Sequence, residues 1–73
     1  GYDIPELSKV TIDIYNIAGN KVKTLVSKEH QPGRYKVQWN ATNEFGSPVA
    51  TGMYIYKIRA NGFVSVKKLL LMK

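Results

Sequence analysis

The only histidine of the chain is the first residue to consider for acid–base or metal chemistry. His30 stands between Glu29 and Gln31, in a polar stretch that ends at Pro32-Gly33. Catalysis would need a nucleophile or a carboxylate beside the imidazole, and a metal ion would need further ligands. The nearest acid in sequence is Glu29, and successive side chains need not point the same way. We therefore expect His30 to be an exposed loop residue without a chemical role.

Acidic and oxygen-rich segments are the next candidates. The chain has five acids, Asp3, Glu6, Asp13, Glu29 and Glu44. They are scattered, so no pair is specified as the acid and base of a glycosidase. Residues 40–46 offer several oxygen atoms but one carboxylate, which favours a structural turn over a calcium site. There is no cysteine and no Gly-rich phosphate motif. The sequence thus predicts no catalytic residue, no metal site and no cofactor.

The positive charge is concentrated at the C-terminal end. Eleven Lys and Arg stand against five Asp and Glu, a formal net charge of +6. From residue 45 onward there is no acid, and the basic residues are Lys57, Arg59, Lys67, Lys68 and Lys73. Clustered positive charge attracts phosphates, anionic polysaccharides or acidic partners. Lysines on an exposed strand also prevent edge-to-edge pairing, so both interpretations stay open on charge alone.

Chain length limits the function further. A domain of 73 residues buries only about 60% of its unfolded surface, which leaves little room for a deep substrate cleft, and we do not expect an enzyme. The longest apolar run is Leu69–Met72, far below the roughly 20 residues of a membrane span, so membrane insertion is not expected. The first residues lack a basic segment followed by an apolar stretch, so we do not expect them to be a signal peptide. Because it starts at Gly1-Tyr2 without Met, we expect a module of a longer protein.

Strands must supply the framework that positions these side chains. The segment Lys9–Tyr15 alternates apolar and polar residues, which is typical of a half-buried strand. Residues 16–20 are turn formers that tolerate positive φ, and Lys21–Ser27 continues as a β-branched run. These segments predict a hairpin. Lys28–Gly33 is expected to be a polar connection, and the alternation in Tyr35–Trp39 predicts a further strand with an aromatic inner face.

The second half of the chain continues the pattern. Residues 40–48 are expected to form a surface loop. Met53–Ala60 and Phe63–Met72 are predicted strands joined by Asn61-Gly62, the strongest hairpin signal in the chain. No helical periodicity persists, and turn residues recur about every eight to twelve positions. We therefore predict one all-β domain, residues 1–73, folded as an immunoglobulin-like antiparallel β-sandwich of about seven short strands.

Aromatic residues refine this prediction. Residues 51–56 resemble the tyrosine corner of immunoglobulin-type sandwiches, with the Tyr54 hydroxyl free to bond a nearby backbone group. A buried tyrosine more often serves packing than ligand contact. The alternation of their strands predicts that Tyr35, Trp39 and Tyr56 also point toward the core. A nucleic-acid-binding protein exposes its aromatic side chains among basic residues, so nucleic-acid binding is not expected. A carbohydrate site would need three other aromatics exposed together, namely Tyr2, Tyr15 and Phe63.

An ordered set of motifs resembles a known family. The segments are Tyr2–Glu6, Val10–Gly19, Val22–Val26, Pro32–Asn40, Gly46–Tyr54, Gly62–Val64 and Lys67–Lys73. Together they are similar, end to end, to the type A C-terminal sorting domain of proteins exported by the type IX secretion system of Bacteroidota. Val10–Ile58 is equally similar to the immunoglobulin-like domain of the flagellar hook-capping protein, which serves assembly. The ending, Lys67-Lys68 followed by an apolar run and Lys73, separates the two.

The resemblance implies a non-catalytic C-terminal module that directs a larger protein, via the periplasm, to the cell surface or the medium. The implied partners are the outer-membrane secretion machinery and the upstream domains of the parent protein, with the isolated domain a monomer. The implied signal residues are Gly52, Tyr54, Lys67, Lys68 and Lys73. The Pro-Asn-Pro-like segment that usually opens the family's first strand is missing, so we expect that strand to be truncated.

Two other functions stay open. One is a structural or accessory immunoglobulin-like spacer or assembly module attached to an extracellular enzyme, for which replacing the C-terminal lysines would leave export unchanged. The other is a carbohydrate-binding module, which a titration of glycans against Trp39 and tyrosine fluorescence would detect. The fold alone does not choose among the three.

Overall fold

Six strands form the framework of residues 1–72, the part of the chain that the computed structural model describes. They are β1 (Tyr2–Ile4), β2 (Ser8–Asn16), β3 (Lys21–His30), β4 (Gly33–Tyr35), β5 (Gly52–Ala60) and β6 (Phe63–Leu71). No helix occurs in this range, and hence none that is long and apolar enough to cross a membrane. The predicted all-β, immunoglobulin-like fold is confirmed, since the strands form two antiparallel sheets.

The larger sheet has four strands in the order β3-β2-β5-β6, and the smaller sheet pairs β1 with β4. We call the face of the larger sheet that carries Val10, Ile12 and Ile14 the inner face, and the opposite one the outer face. The smaller sheet packs on the inner face, where Ile4 of β1 joins Val10, Ile12 and Ala60 in the buried core. Alternation explains this arrangement, because every second residue of a strand points to the same side.

A short turn connects the two strands of each hairpin. Asn16 closes the turn between β2 and β3, since its side-chain oxygen accepts a hydrogen bond from the Asn20 N–H at 3.0 Å and its carbonyl accepts one from the Gly19 N–H at 3.0 Å. Two residues join β5 to β6, and Asn61 adopts φ 54° there. Asparagine tolerates this left-handed conformation, which is why Asn-Gly predicted the turn correctly.

Two strand limits differ from the prediction. β3 continues through the polar segment to His30, because it keeps pairing with β2 as far as Ser8. β4 ends at Tyr35, and residues 36–40 form no ladder. The alternating Val37 and Trp39 line the space between the sheets instead, and the Trp39 indole N–H donates to the Thr42 carbonyl at 2.8 Å. Residues 1–72 therefore hold six strands, against the expected number of about seven.

The prediction of an exposed His30 was wrong. Only 5% of this residue is exposed. Its Nε2 lies 2.8 Å from the Tyr2 hydroxyl, and its ring centroid lies 4.2 Å from that of Tyr35. The reason is its position at the last pair of the β2–β3 ladder, where the smaller sheet packs. Nδ1 has no hydrogen-bond partner among residues 1–72.

Candidate recognition surface on the last two strands

Four of the five residues implied as signals lie in the hairpin of β5 and β6, which we call the C-terminal hairpin. Lys73 lies outside the described residues. Nine pairs run without a register shift from Ala60–Phe63 at the turn to Gly52–Leu71 at the far end. This regular register fixes which side chains share a face, because side chains alternate along each strand and opposed residues point the same way.

The first two signal candidates form the corner at which the chain enters β5. Tyr54 is 7% exposed, and its hydroxyl donates to the Ala50 carbonyl at 2.6 Å. Its ring packs edge-on against Trp39, with centroids 5.1 Å apart. This geometry confirms the predicted tyrosine corner and gives Tyr54 a packing role. Gly52 adopts φ 155°, a conformation that other residues rarely take. A recognition role for either residue stays a prediction.

The two lysines lie in the middle of β6 and point to opposite faces. Lys67 is opposite Tyr56, and its side chain lines the inner face, whereas Lys68 is opposite Ile55 on the outer face. Both lysines are exposed. Within residues 1–72 neither belongs to an ion pair. A single strand therefore presents uncompensated positive charge on both of its faces.

The outer face of the C-terminal hairpin combines apolar and cationic side chains. Four of its apolar residues are exposed by 41–58%: Met53, Val64, Val66 and Leu70. Lys57, Arg59 and Lys68 lie between them in the same register. A surface of this composition fits a protein partner that supplies apolar and acidic side chains.

Asp13 is the acid beside this face, and it is already engaged. Its side chain is 2% exposed; one carboxylate oxygen accepts a 2.6 Å hydrogen bond from the Thr24 hydroxyl, and the other lies 3.4 Å from Arg59 Nη2. A register shift after Ile12 places Thr24 opposite Asp13. Sequence reasoning missed this contact, because it depends on the register of a bulged ladder. The carboxylate thus leaves the lysines of β6 uncompensated.

A cavity of about 520 Å³ lies between the two sheets on the inner face. Its lining is mainly apolar, and the side chain of Lys67 from β6 also lines it. Two of the aromatics considered for carbohydrate binding, Tyr2 and Phe63, line this cavity, whereas Tyr15 pairs with Ile55 and so lies on the outer face. The structure therefore does not bring these three aromatics together.

Asn43 and Glu44 of the loop 40–48 and Tyr2 of β1 make structural contacts. In the loop 40–48 the Asn43 side chain accepts hydrogen bonds from the N–H groups of Phe45 and Ser47 at 2.9 and 3.1 Å, which is the turn expected there. The Glu44 carboxylate accepts the Thr24 N–H. Burial, and to a lesser extent the neighbouring Tyr35, raise the pKa of Tyr2. A group of three or more His, Cys, Asp or Glu suited to a metal ion is not found in residues 1–72.

Fold and surface together define a small immunoglobulin-like β-sandwich module with an exposed C-terminal hairpin. The family model of the FlgD Ig-like domain matches residues 5–62, which are 58 of the 73 residues, and the chain belongs to this family. The match ends in the turn between β5 and β6, so β6 lies beyond it. No curated protein and no solved structure matches the chain.

Proposed function

We propose that this immunoglobulin-like domain is a non-catalytic C-terminal sorting module that directs a larger protein, via the periplasm and the type IX secretion system, to the cell surface or the medium. The proposal rests on the position and charge of β6. This exposed strand follows the part of the chain shared with the FlgD Ig-like family, and it bears Lys67 and Lys68 without acidic neighbours in sequence. It coincides with the ending by which the chain resembles the sorting domains.

Recognition of a folded surface is supported by how the lysines are held. A nine-residue ladder with β5 fixes their spacing and directs them to opposite faces. A partner would then read the hairpin by shape and charge complementarity. Because exposed charges are screened with a Debye length of about 8 Å at physiological ionic strength, this recognition should weaken as salt is added.

A non-catalytic role is supported by what the polar side chains do. His30 contacts Tyr2 and Tyr35, Asp13 binds Thr24, and Glu44 binds the backbone of β3. Each of these contacts holds strands or sheets together. Three of the six groups that the sequence offered for catalysis thus serve the fold.

A second candidate function is favoured by the family match. An assembly or spacer module within a larger extracellular protein would need the sandwich and no particular C-terminal charge. In that case Lys67 and Lys68 would protect an exposed strand from aggregation. The two functions differ in whether export depends on these lysines.

The test is surface display of a secreted reporter carrying this domain at its C-terminus in a host with a type IX system. The triple variant Lys67→Ala, Lys68→Ala, Lys73→Ala is compared with a matched variant at three exposed lysines of β2 and β3: Lys9→Ala, Lys21→Ala and Lys28→Ala. Both lose the same charge. Circular dichroism of each purified domain checks that the fold is intact.

We expect the native fusion and the β2–β3 variant to reach the surface and the β6 variant to stay in the periplasm. If all three fusions reach the surface, the lysines are not the signal. Gly52 and Tyr54 would then be the next residues to test. Retention of the folded native fusion would overturn the sorting function and favour the assembly or spacer module.

A further inference from the structure

The two edges of the four-stranded sheet are not equivalent. The β3 edge is covered by the loop 40–48, where the Glu44 N–H donates to the Val22 carbonyl at 3.2 Å and the Glu44 carboxylate accepts the Thr24 N–H. Lys23 Nζ also donates to the Thr42 hydroxyl at 3.1 Å. At the other edge, no strand or loop within residues 1–72 pairs with the open side of β6.

β6 has the properties of a template for strand addition. It is nine residues long, contains no proline and pairs with β5 without a bulge. In an antiparallel ladder every second residue directs its N–H and C=O away from the neighbouring strand, so one side of β6 offers unpaired donors and acceptors. Proteins usually block such an edge, as the loop does at β3. An unblocked edge is the basis of peptide recognition by strand addition.

The charge of β6 argues against a second copy of the chain as the added strand. Antiparallel pairing of two β6 strands about their centre, with Phe63 opposite Leu71, would place Lys67 opposite the same lysine of the other copy. Like charges directly opposite each other destabilise a strand pair. The net charge of +6 adds repulsion between whole molecules. An acidic strand turns each of these interactions into an attraction.

We infer that the open edge of β6 is a docking site for an extended acidic segment of a protein partner, which adds to the sheet as a fifth strand. Lys67 and Lys68 are adjacent and point to opposite faces, so the complementary segment carries two adjacent carboxylates, one for each face. Apolar residues flank them, to pack beside Val66 and Leu69. The inference deepens the proposed function and rests on it for the assignment of the partner to the secretion machinery.

The probe is the nonapeptide Val-Thr-Val-Glu-Glu-Val-Thr-Val-Thr, whose two glutamates face Lys68 and Lys67 and whose flanking valines face Leu69 and Val66 when it pairs antiparallel along β6. It is titrated into the isotope-labelled domain at low ionic strength, and binding is followed by amide chemical shifts and hydrogen exchange. We expect the amides of β6 to shift and to gain protection. A control peptide with methylated central peptide nitrogens keeps the charges but cannot complete the ladder, and it should bind at least about tenfold more weakly.

Two protein variants separate local from general electrostatics. Lys67→Glu with Lys68→Glu should raise the dissociation constant at least about tenfold, because two attractive cross-strand pairs become repulsive. Lys21→Glu with Lys28→Glu makes the same change of net charge on β3 and should alter it less than about threefold. If the β6 double variant does not fold, the single variants Lys67→Glu and Lys68→Glu replace it.

Four results would overturn the inference: no binding up to about 1 mM peptide, equal binding of the methylated peptide, equal loss in the β3 variant, or protection of β6 by self-association without peptide. Failure here while export depends on Lys67 and Lys68 would reject strand addition and leave the sorting function standing. Peptide binding as expected, with export independent of these lysines, would reject the sorting function and retain the docking edge.

Discussion

Tyr54 and Gly52 set the entry of the chain into the C-terminal hairpin. The Tyr54 hydroxyl bonds the Ala50 carbonyl, and its ring packs against Trp39, so the loop end and the strand start are held together. Between them Gly52 adopts φ 155°. An added Cβ there would meet no atom within 4 Å, so the glycine is required by backbone conformation and not by lack of space.

Gly52→Ala is accordingly expected to lower the free energy of unfolding by about 1–3 kcal/mol, the range for a side chain forced into a backbone region that favours glycine. Urea denaturation measures the loss. Gly62→Ala is the matched control, since an added Cβ there also meets nothing within 4 Å and its φ lies outside the glycine-favouring range. The control should change stability by no more than about 0.5 kcal/mol. Equal losses in both variants would contradict the conformational explanation.

At the scale of elements, three aromatic rings attach the smaller sheet to the larger one. Tyr2 of β1 stacks on Tyr35 of β4 with centroids 5.7 Å apart, and both rings contact His30 at the end of β3. The hydrogen bond between Tyr2 and His30 adds a directional contact. Because β1 and β4 have three residues each, this cluster supplies much of what fixes them in place.

Alkaline pH should weaken this attachment. Burial and the nearby Tyr35 raise the pKa of Tyr2 above its ordinary value of about 10. The unfolded chain therefore loses this proton at lower pH than the folded chain. The contribution of Tyr2 to stability is present below about pH 10 and is lost as the pH rises through the raised pKa.

Thermal unfolding between about pH 8 and 11 tests this expectation, with the range chosen around the ordinary pKa. Stability should fall with pH more steeply in the native protein than in Tyr2→Phe. Tyr15→Phe is the control, because it removes a phenol on the outer face and leaves the Tyr2–His30 contact intact. At neutral pH Tyr2→Phe should cost about 0.5–1.5 kcal/mol for the lost hydrogen bond. Identical pH slopes in all three proteins would rule out the Tyr2 contribution.

The alternation of apolar and polar residues predicted the strands that bury one face. It did not predict the environment of residues whose burial or hydrogen bonding depends on a partner distant in sequence. Alternation identified β2, β5 and β6, because each has one face toward the core. His30 lies in a polar run, and its burial depends on β1, which is 28 positions away. The hydrogen bond from the Thr24 N–H of β3 to the Glu44 carboxylate joins residues that are 20 positions apart. Such pairs have no signal in a single sequence.

The candidate site was predictable to the same extent. Charge patterning singled out Lys67 and Lys68, and alternation places consecutive strand residues on opposite faces. Their exposure on an open edge was not predictable, because the strand order β3-β2-β5-β6 depends on the pairing of β2 with β5, which are not consecutive in the chain, and no local motif encodes that pairing. Asp13 was missed for a related reason, since the shifted register brings Thr24 to it.

At the scale of the whole molecule, β6 is both the open edge of the larger sheet and the strand that carries Lys67 and Lys68. The core of residues 1–72 is small, with six buried apolar residues, and the second sheet has only two strands. An open, largely apolar β6 on such a sandwich invites self-association. Lys67 and Lys68 oppose it by placing like charges together, so the same residues would protect the free domain and select an acidic partner.

If repulsion alone keeps β6 strands apart, then reversing the charge on one copy should join two copies. Mixing the native domain with Lys67→Glu, Lys68→Glu should give a mixed dimer at low salt, in which the substituted position 67 faces Lys67 of the native copy across the paired β6 strands. Each protein alone should stay monomeric. Sedimentation velocity measures the dimer, which should disappear toward about 1 M salt, where the Debye length is roughly 3 Å. The matched mixture uses Lys21→Glu, Lys28→Glu, whose charge change lies on the covered edge, and it should contain monomers only. Dimers in that mixture, or in the native domain alone, would show that edge charge does not govern the association of β6.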